Sequence, residues 1–230
     1  IHPESDKACK EIDIFYQYLD SGGKNIDLYC NDLKPVKCES CHEDEVAAFD
    51  AGIHKKLIME NDKDGPDCVY CHGKHDVLSK TNIQSETFPR NVPELCGDCH
   101  KEGGISAIRG NAKETDIMMN YKESTHGKAL LDSGLLVSAT CTSCHSTHKI
   151  LPASNQEASI NHENLPQTCA NCHLGIFETF KNSVHSPLVT KTDKPLPSCN
   201  DCHTSHTIKR HDASQFRLDI VKQCGNCHEK

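Results

Sequence analysis

The stretch Cys199-Asn200-Asp201-Cys202-His203-Thr204-Ser205-His206 holds the pattern that organises the whole chain. Two cysteines stand three apart, a histidine follows the second, and another histidine comes three residues later. The first five positions recur as Cys38-Glu-Ser-Cys41-His42, Cys68-Val-Tyr-Cys71-His72, Cys96-Gly-Asp-Cys99-His100, Cys141-Thr-Ser-Cys144-His145, Cys169-Ala-Asn-Cys172-His173 and Cys224-Gly-Asn-Cys227-His228. The 230 residues thus carry seven copies, which take up all but two of the 16 cysteines.

Cys-x-x-Cys-His is the attachment signature of c-type haem. Two thiols at this spacing reach the two vinyl groups of one porphyrin, and the next residue presents its imidazole to the iron. The competing uses of paired cysteines do not require this regularity. Structural zinc sites pair such motifs without a histidine directly after each second cysteine, and a thioredoxin-like site uses one motif in a βαβ setting. The expected cofactors are seven haems c. Their anchors are Cys38, Cys41, Cys68, Cys71, Cys96, Cys99, Cys141, Cys144, Cys169, Cys172, Cys199, Cys202, Cys224 and Cys227, with His42, His72, His100, His145, His173, His203 and His228 as proximal ligands.

Six of the nine remaining histidines are periodic. His75, His148 and His206 each follow an attachment histidine by 3 residues, while His54, His126 and His185 precede that same histidine by 18, 19 and 18. A plain motif lies 12, 26 and 12 residues before the latter three. A fixed internal period marks a repeat architecture. The chain reads as a haem-free segment 1–37, repeat 1 over 38–95, repeat 2 over 96–168 with an insertion near Gly103–Asn120, and repeat 3 plus a half repeat over 169–230, as one continuous domain.

Seven irons need seven further ligands, so His54, His75, His126, His148, His185 and His206 are the expected distal set. The seventh is left open among His2, His162, His211 and another chain. A histidine at +3 cannot easily reach the far face of its own haem and is expected on an adjacent one. Each spacer histidine is expected to serve the haem that follows it.

Apolar residues at helical steps precede the spacer histidines: Val46, Phe49 and Ile53; Met118, Tyr121 and Thr125; Phe177, Phe180 and Val184. They predict short amphipathic helices that each deliver a histidine at their end. The stretches 61–67 and 191–197 read as loops. Asp62-Lys-Asp64-Gly65 lacks the acidic twelfth position of a calcium loop and reads as a turn.

The apolar class is 36%. Without cysteine it falls to roughly 29%, below an ordinary globular domain. Aromatics are 5% and tryptophan is absent. Such a chain needs haem faces as its core, so helix and strand contents below the usual fractions are expected. The formal charge of −8 becomes roughly −15 in the oxidised holoprotein, once about +1 for each ferric porphyrin and −2 for its two propionates are counted, which argues against nucleic acid as a partner. No run of 18 apolar residues suggests a transmembrane segment. Covalent haem attachment implies export to the periplasm or cell exterior, and a first residue other than Met fits a removed leader. Cys9 and Cys30, the two cysteines outside motifs, are expected to pair.

Tyr121-Lys-Glu-Ser124-Thr-His126 and Phe180-Lys-Asn-Ser183-Val-His185, each between a plain motif and Cys-x-x-Cys-His-x-x-His, resemble the multihaem c-type cytochromes of anaerobic respiration. Among these are the decahaem conduits of metal-reducing bacteria and the pentahaem donor to cytochrome c nitrite reductase. The resemblance covers about residues 38–228, and His54 departs from it with Gly52 in place of serine. It implies a multihaem cytochrome c fold, mostly irregular loops with short α-helices wrapped round a haem chain and little or no β structure. It also implies electron transfer to redox protein partners. An alternative is a subunit of an extracellular cytochrome filament, a homopolymer or nanowire of identical subunits. A nitrite- or hydroxylamine-converting enzyme is disfavoured: nitrite reductase-like sites put Lys in the motif, and all seven motifs here end in His.

Overall fold

The computed structural model describes residues 37–74, 77–109 and 116–228. His2, Cys9, Cys30 and His75 lie outside these residues. The chain divides into two compact units, Ile1–Val46 and Ala47–Lys230. The second holds repeats 2 and 3 together with everything in repeat 1 after Val46.

After a 3₁₀ turn at Cys38–Ser40, the described residues form eleven helices. They are α1 (Glu43–Asp50), α2 (Ile53–Met59), α3 (Cys68–His72), α4 (Val92–His100), α5 (Ile105–Arg109), α6 (Ile117–Glu123), α7 (Thr125–Leu131), α8 (Cys141–His145), α9 (Leu165–Lys181), α10 (Cys199–His203) and α11 (Ser214–Cys224). No strand occurs among the described residues, in line with the expectation of little or no β structure. Helix makes up 48% of the described residues, however, above the expected fraction. The reason is local. The attachment motif is itself a helical turn, so α3, α8 and α10 each consist of one Cys-x-x-Cys-His, and two further motifs lie inside α4 and α9.

The spacer histidines also differ from expectation. The preceding helix stops before the histidine instead of ending on it. α6 ends at Glu123, and the buried Ser124 then caps α7, its hydroxyl accepting the Gly127 N–H at 3.0 Å. His126 therefore sits in the first turn of a new helix. A side chain at Gly127 would place its Cβ 2.0 Å from the Tyr121 carbonyl oxygen, so only glycine fits this corner. Gly52 makes the same break before α2.

The buried apolar residues are few and cluster round repeat 2: Phe88, Val92, Met118, Tyr121 and the wholly enclosed Leu130. Val184, Leu174, Ile176, Leu218 and Val221 remain exposed. Between repeats the backbone is clasped twice in the same way. Ile53 N–H donates to the Ile150 carbonyl at 2.9 Å, and Thr125 N–H to that of Ile208 at 2.7 Å. Each donor directly precedes a spacer histidine, and each acceptor lies two residues past a +3 histidine of the next repeat.

Residues 79–91 and 152–164 contain a second repeated element. Each climbs in successive three-residue turns, Asn82 to Ser79, Ser85 to Asn82, Phe88 to Ser85 and Asn91 to Phe88, matched by Asn155 to Pro152 and onward to Asn164. Asn91 closes the first, its amide donating to the Ile83 and Ser85 carbonyls at 3.0 and 2.8 Å. Asn164 closes the second on Gln156 and Ala158 at 2.7 and 2.9 Å. Both then open a helix with proline in its first turn, which carries the next plain motif. The 61–67 stretch is a turn as expected; Asp62 and Asp64 are both engaged by Arg109. Among the described residues no helix is long and apolar enough to cross a membrane.

Candidate functional site

Each turn of the three Cys-x-x-Cys-His-x-x-His motifs is set by its cap. Asp67 accepts the Tyr70 N–H at 2.9 Å, while Thr140 with Ser143 and Ser198 with Asp201 form capping boxes. Within such a turn the residues at i, i+3 and i+4 share one face, so both thiols and the imidazole point the same way. The next residue then reverses the chain. Gly73, Ser146 and Thr204 have φ of 82°, 68° and 63° with extended ψ. Glycine enters this region freely; Ser146 and Thr204 pay strain of about 1–3 kcal/mol each. The kink carries His148 and His206 away from their own motifs, as the sequence requires.

Where they go defines the site. His148 lies against His72, His206 against His145, His126 against His173 and His185 against His228, with ring centres 6.1, 6.1, 6.1 and 6.2 Å apart. Every pair joins one attachment histidine to one repeat histidine, and each follows a fixed register. A +3 histidine faces the Cys-x-x-Cys-His-x-x-His motif of the preceding repeat. A spacer histidine faces the plain motif of the following repeat, one motif further on than expected. His54 keeps this register, with His100 as its electrostatic neighbour. His203 instead stacks on Phe216 at 5.1 Å and 16°. The first motif lies largely in the other unit, where His42 Nδ1 stands 3.8 Å from Glu45. His162 is held elsewhere, its Nε2 2.9 Å from Asp201 Oδ2.

These pairs fit a group that takes two trans imidazoles. A first-row metal binds imidazole at about 2.0–2.1 Å, so two such rings across one metal have centres roughly 6 Å apart. The fit extends to protonation, since a ligating imidazole must be neutral. Burial, and secondarily a neighbouring histidine, lowers His54, His100 and His126 below the ordinary histidine value. Burial followed by His206 and His100 takes His145 down to about 4. Ser106 Oγ is 3.0 Å from His100 Nδ1, which leaves Nε2 as the nitrogen that could ligate a metal. Among the described residues no three His, Cys, Asp or Glu side chains converge on one point as ligands of a bare ion. The donors come in pairs, unlike the tetrahedral set of a structural zinc site.

None of the fourteen motif cysteines forms a disulfide. Neighbouring thiols follow the order of the motifs. Cys71, pushed up to about 11 by burial and then by Cys96, begins this order, and Tyr70 Oη reaches Cys99 at 3.9 Å. Cys96 lies beside Cys141, and Cys144 near Cys172. Cys169 lies beside Cys199, and Cys202 near Cys224. Each motif from the second to the sixth thus has its anchor edge beside the next one.

No protein-family model matches the chain, and no curated protein matches it.

Proposed function

We propose that this protein is a multihaem c-type cytochrome that passes electrons along seven covalently bound haems, each with two histidine ligands. The observation that carries this reading is the set of four imidazole pairs at one spacing, each an attachment histidine with a repeat histidine, in a register kept across repeats. Packing alone gives no reason for four such pairs to share one distance and one register. Haem, when bound, supplies an iron that takes up and releases one electron. The chain supplies the rest. Its cysteines would anchor the haems, its paired imidazoles would ligate iron and favour low potentials relative to His/Met ligation, and its neighbouring motifs would hold successive anchors side by side. Two histidine ligands on each iron would leave no place for a substrate, which favours a relay over a nitrite- or hydroxylamine-converting enzyme. Covalent attachment places the protein in the periplasm or at the cell surface, with redox proteins or identical subunits as partners.

The test is carbon monoxide titration of the reduced, purified holoprotein, together with its visible spectrum. A low-spin spectrum and no bound carbon monoxide are expected. Stoichiometric binding would favour the enzyme.

A further inference from the structure

The insertion in repeat 2 has a use that the repeat pattern does not explain. His100 and His126 are 26 residues apart, against 12 for His42 and His54 and for His173 and His185. In repeat 3 the helix α9 continues past its attachment histidine, with a kink there, to Lys181. In repeat 2 the helix α4 stops at His100, and Lys101 leaves it with extended backbone. Gly103, at φ 72°, then turns the chain back, and the Gly104 N–H donates to the Lys101 carbonyl at 2.9 Å. A side chain at the buried Gly104 would press its Cβ into the Cys99 carbonyl, so the turn lies directly on the attachment motif.

The short helix α5 follows, and Ser106 and Arg109, three residues apart, share one face of it. Ser106 Oγ stands 3.0 Å from His100 Nδ1. Arg109 engages Asp62 and Asp64, reaching the latter at 2.6 Å, in the turn that follows α2. Asp62 also accepts the Asp64 N–H at 3.0 Å. The helix is thus pinned at its start by the glycine turn and at its end by the two carboxylates, and Ser106 lies between the pins. Repeat 3 puts Thr179 at the same distance past His173, but that hydroxyl donates to the Gly175 carbonyl of its own helix at 3.0 Å.

We propose that Ser106 is a positioning residue for the haem anchored by Cys96 and Cys99: it accepts the Nδ1–H of His100, fixes the plane of that ring and lowers the reduction potential of this one haem. This inference rests on the haem reading above. An imidazole that gives Nε2 to iron keeps its hydrogen on Nδ1, and an acceptor on that hydrogen makes the ring a more basic ligand. A more basic ligand favours the ferric over the ferrous state. The insertion then serves to set one haem of the chain apart from the rest.

The experiment uses the holoprotein and its Ser106→Ala, Ser106→Thr and Ile108→Ala variants. Peptide mass first establishes haem on Cys96 and Cys99. Its absence overturns the haem reading together with this proposal, whereas its presence leaves that reading standing and puts only the role of Ser106 at risk. A spectroelectrochemical titration then resolves the haem potentials. Ser106→Ala is expected to raise one haem's potential and leave the other six in place, with every iron still low-spin. Ser106→Thr keeps the hydroxyl and is expected to restore the wild-type value. Ile108, exposed on the same helix, is expected to move no potential when cut to alanine, although a merely structural role for α5 would make it behave like Ser106→Ala. The proposal is overturned if Ser106→Ala shifts no haem or shifts one downward, if Ser106→Thr matches Ser106→Ala, or if Ile108→Ala gives the same rise.

Discussion

His145 and His206 face each other with ring planes 2° apart and centres 6.1 Å apart, although they belong to different repeats. The contact ties repeat 2 to repeat 3 through the two atoms that would share one iron. Replacing His206 by alanine is expected to open one haem, so that the reduced protein takes up one equivalent of carbon monoxide where the wild type takes none. The thermal midpoint should fall as well, because a ligand that binds only the folded state stabilises it. A silent His206→Ala variant would break the pairing.

The reversal after each Cys-x-x-Cys-His-x-x-His attachment histidine stores strain in two of three repeats. Ser146 at φ 68° occupies a region that suits glycine, and its hydroxyl makes only a long contact of 3.4 Å with Ser159. Ser146→Gly is expected to stabilise the protein by about 1 kcal/mol, and Gly73→Ala to destabilise it by about 1–3 kcal/mol. Denaturant melts of both variants measure the two signs.

Asn91 and Asn164 each tie off a climb of three-residue turns with two amide-to-carbonyl bonds. Either one replaced by alanine leaves carbonyls without their donor. The expected cost is about 1–3 kcal/mol per site, with the haem count unchanged by mass. A melt indistinguishable from wild type would deny these turns a structural role.

The Asp62 backbone-capped turn gives an acid-sensitive contact. Its carboxyl is held below the ordinary aspartate value, first by the Asp64 N–H and then by Arg109. A depressed carboxyl stabilises the fold above the ordinary aspartate pKa, and that contribution is lost as pH falls through the folded value. Arg109→Gln is therefore expected to lower the midpoint slightly at neutral pH, with the gap to wild type closing as pH falls through the lowered Asp62 value. A constant gap from neutral to acid pH would exclude the ion pair as its cause.

The candidate ligands were legible in the sequence because covalent attachment imposes one spacing, and because +3 and spacer histidines recur at fixed offsets. Their partners were not. Spacing along the chain put His126 with the next attachment histidine, His145, whereas the break at Ser124 and Gly127 turns it toward His173. Likewise, composition suggested a chain poor in regular structure, but five of the seven attachment motifs lie within α-helices. The three-residue climbs at 79–91 and 152–164 were missed because their signal is a period of three, matching neither the helix nor the strand period. In hindsight Asn91-Val-Pro and Asn164-Leu-Pro, each a few residues before a plain motif, mark where they end.

The central claim is that all seven motifs carry haem. Intact mass of the purified protein under denaturing conditions tests it most directly, because thioether links survive unfolding. The account predicts an increment of seven haems over the polypeptide. A polypeptide that carries none, or a smaller whole number, would contradict it.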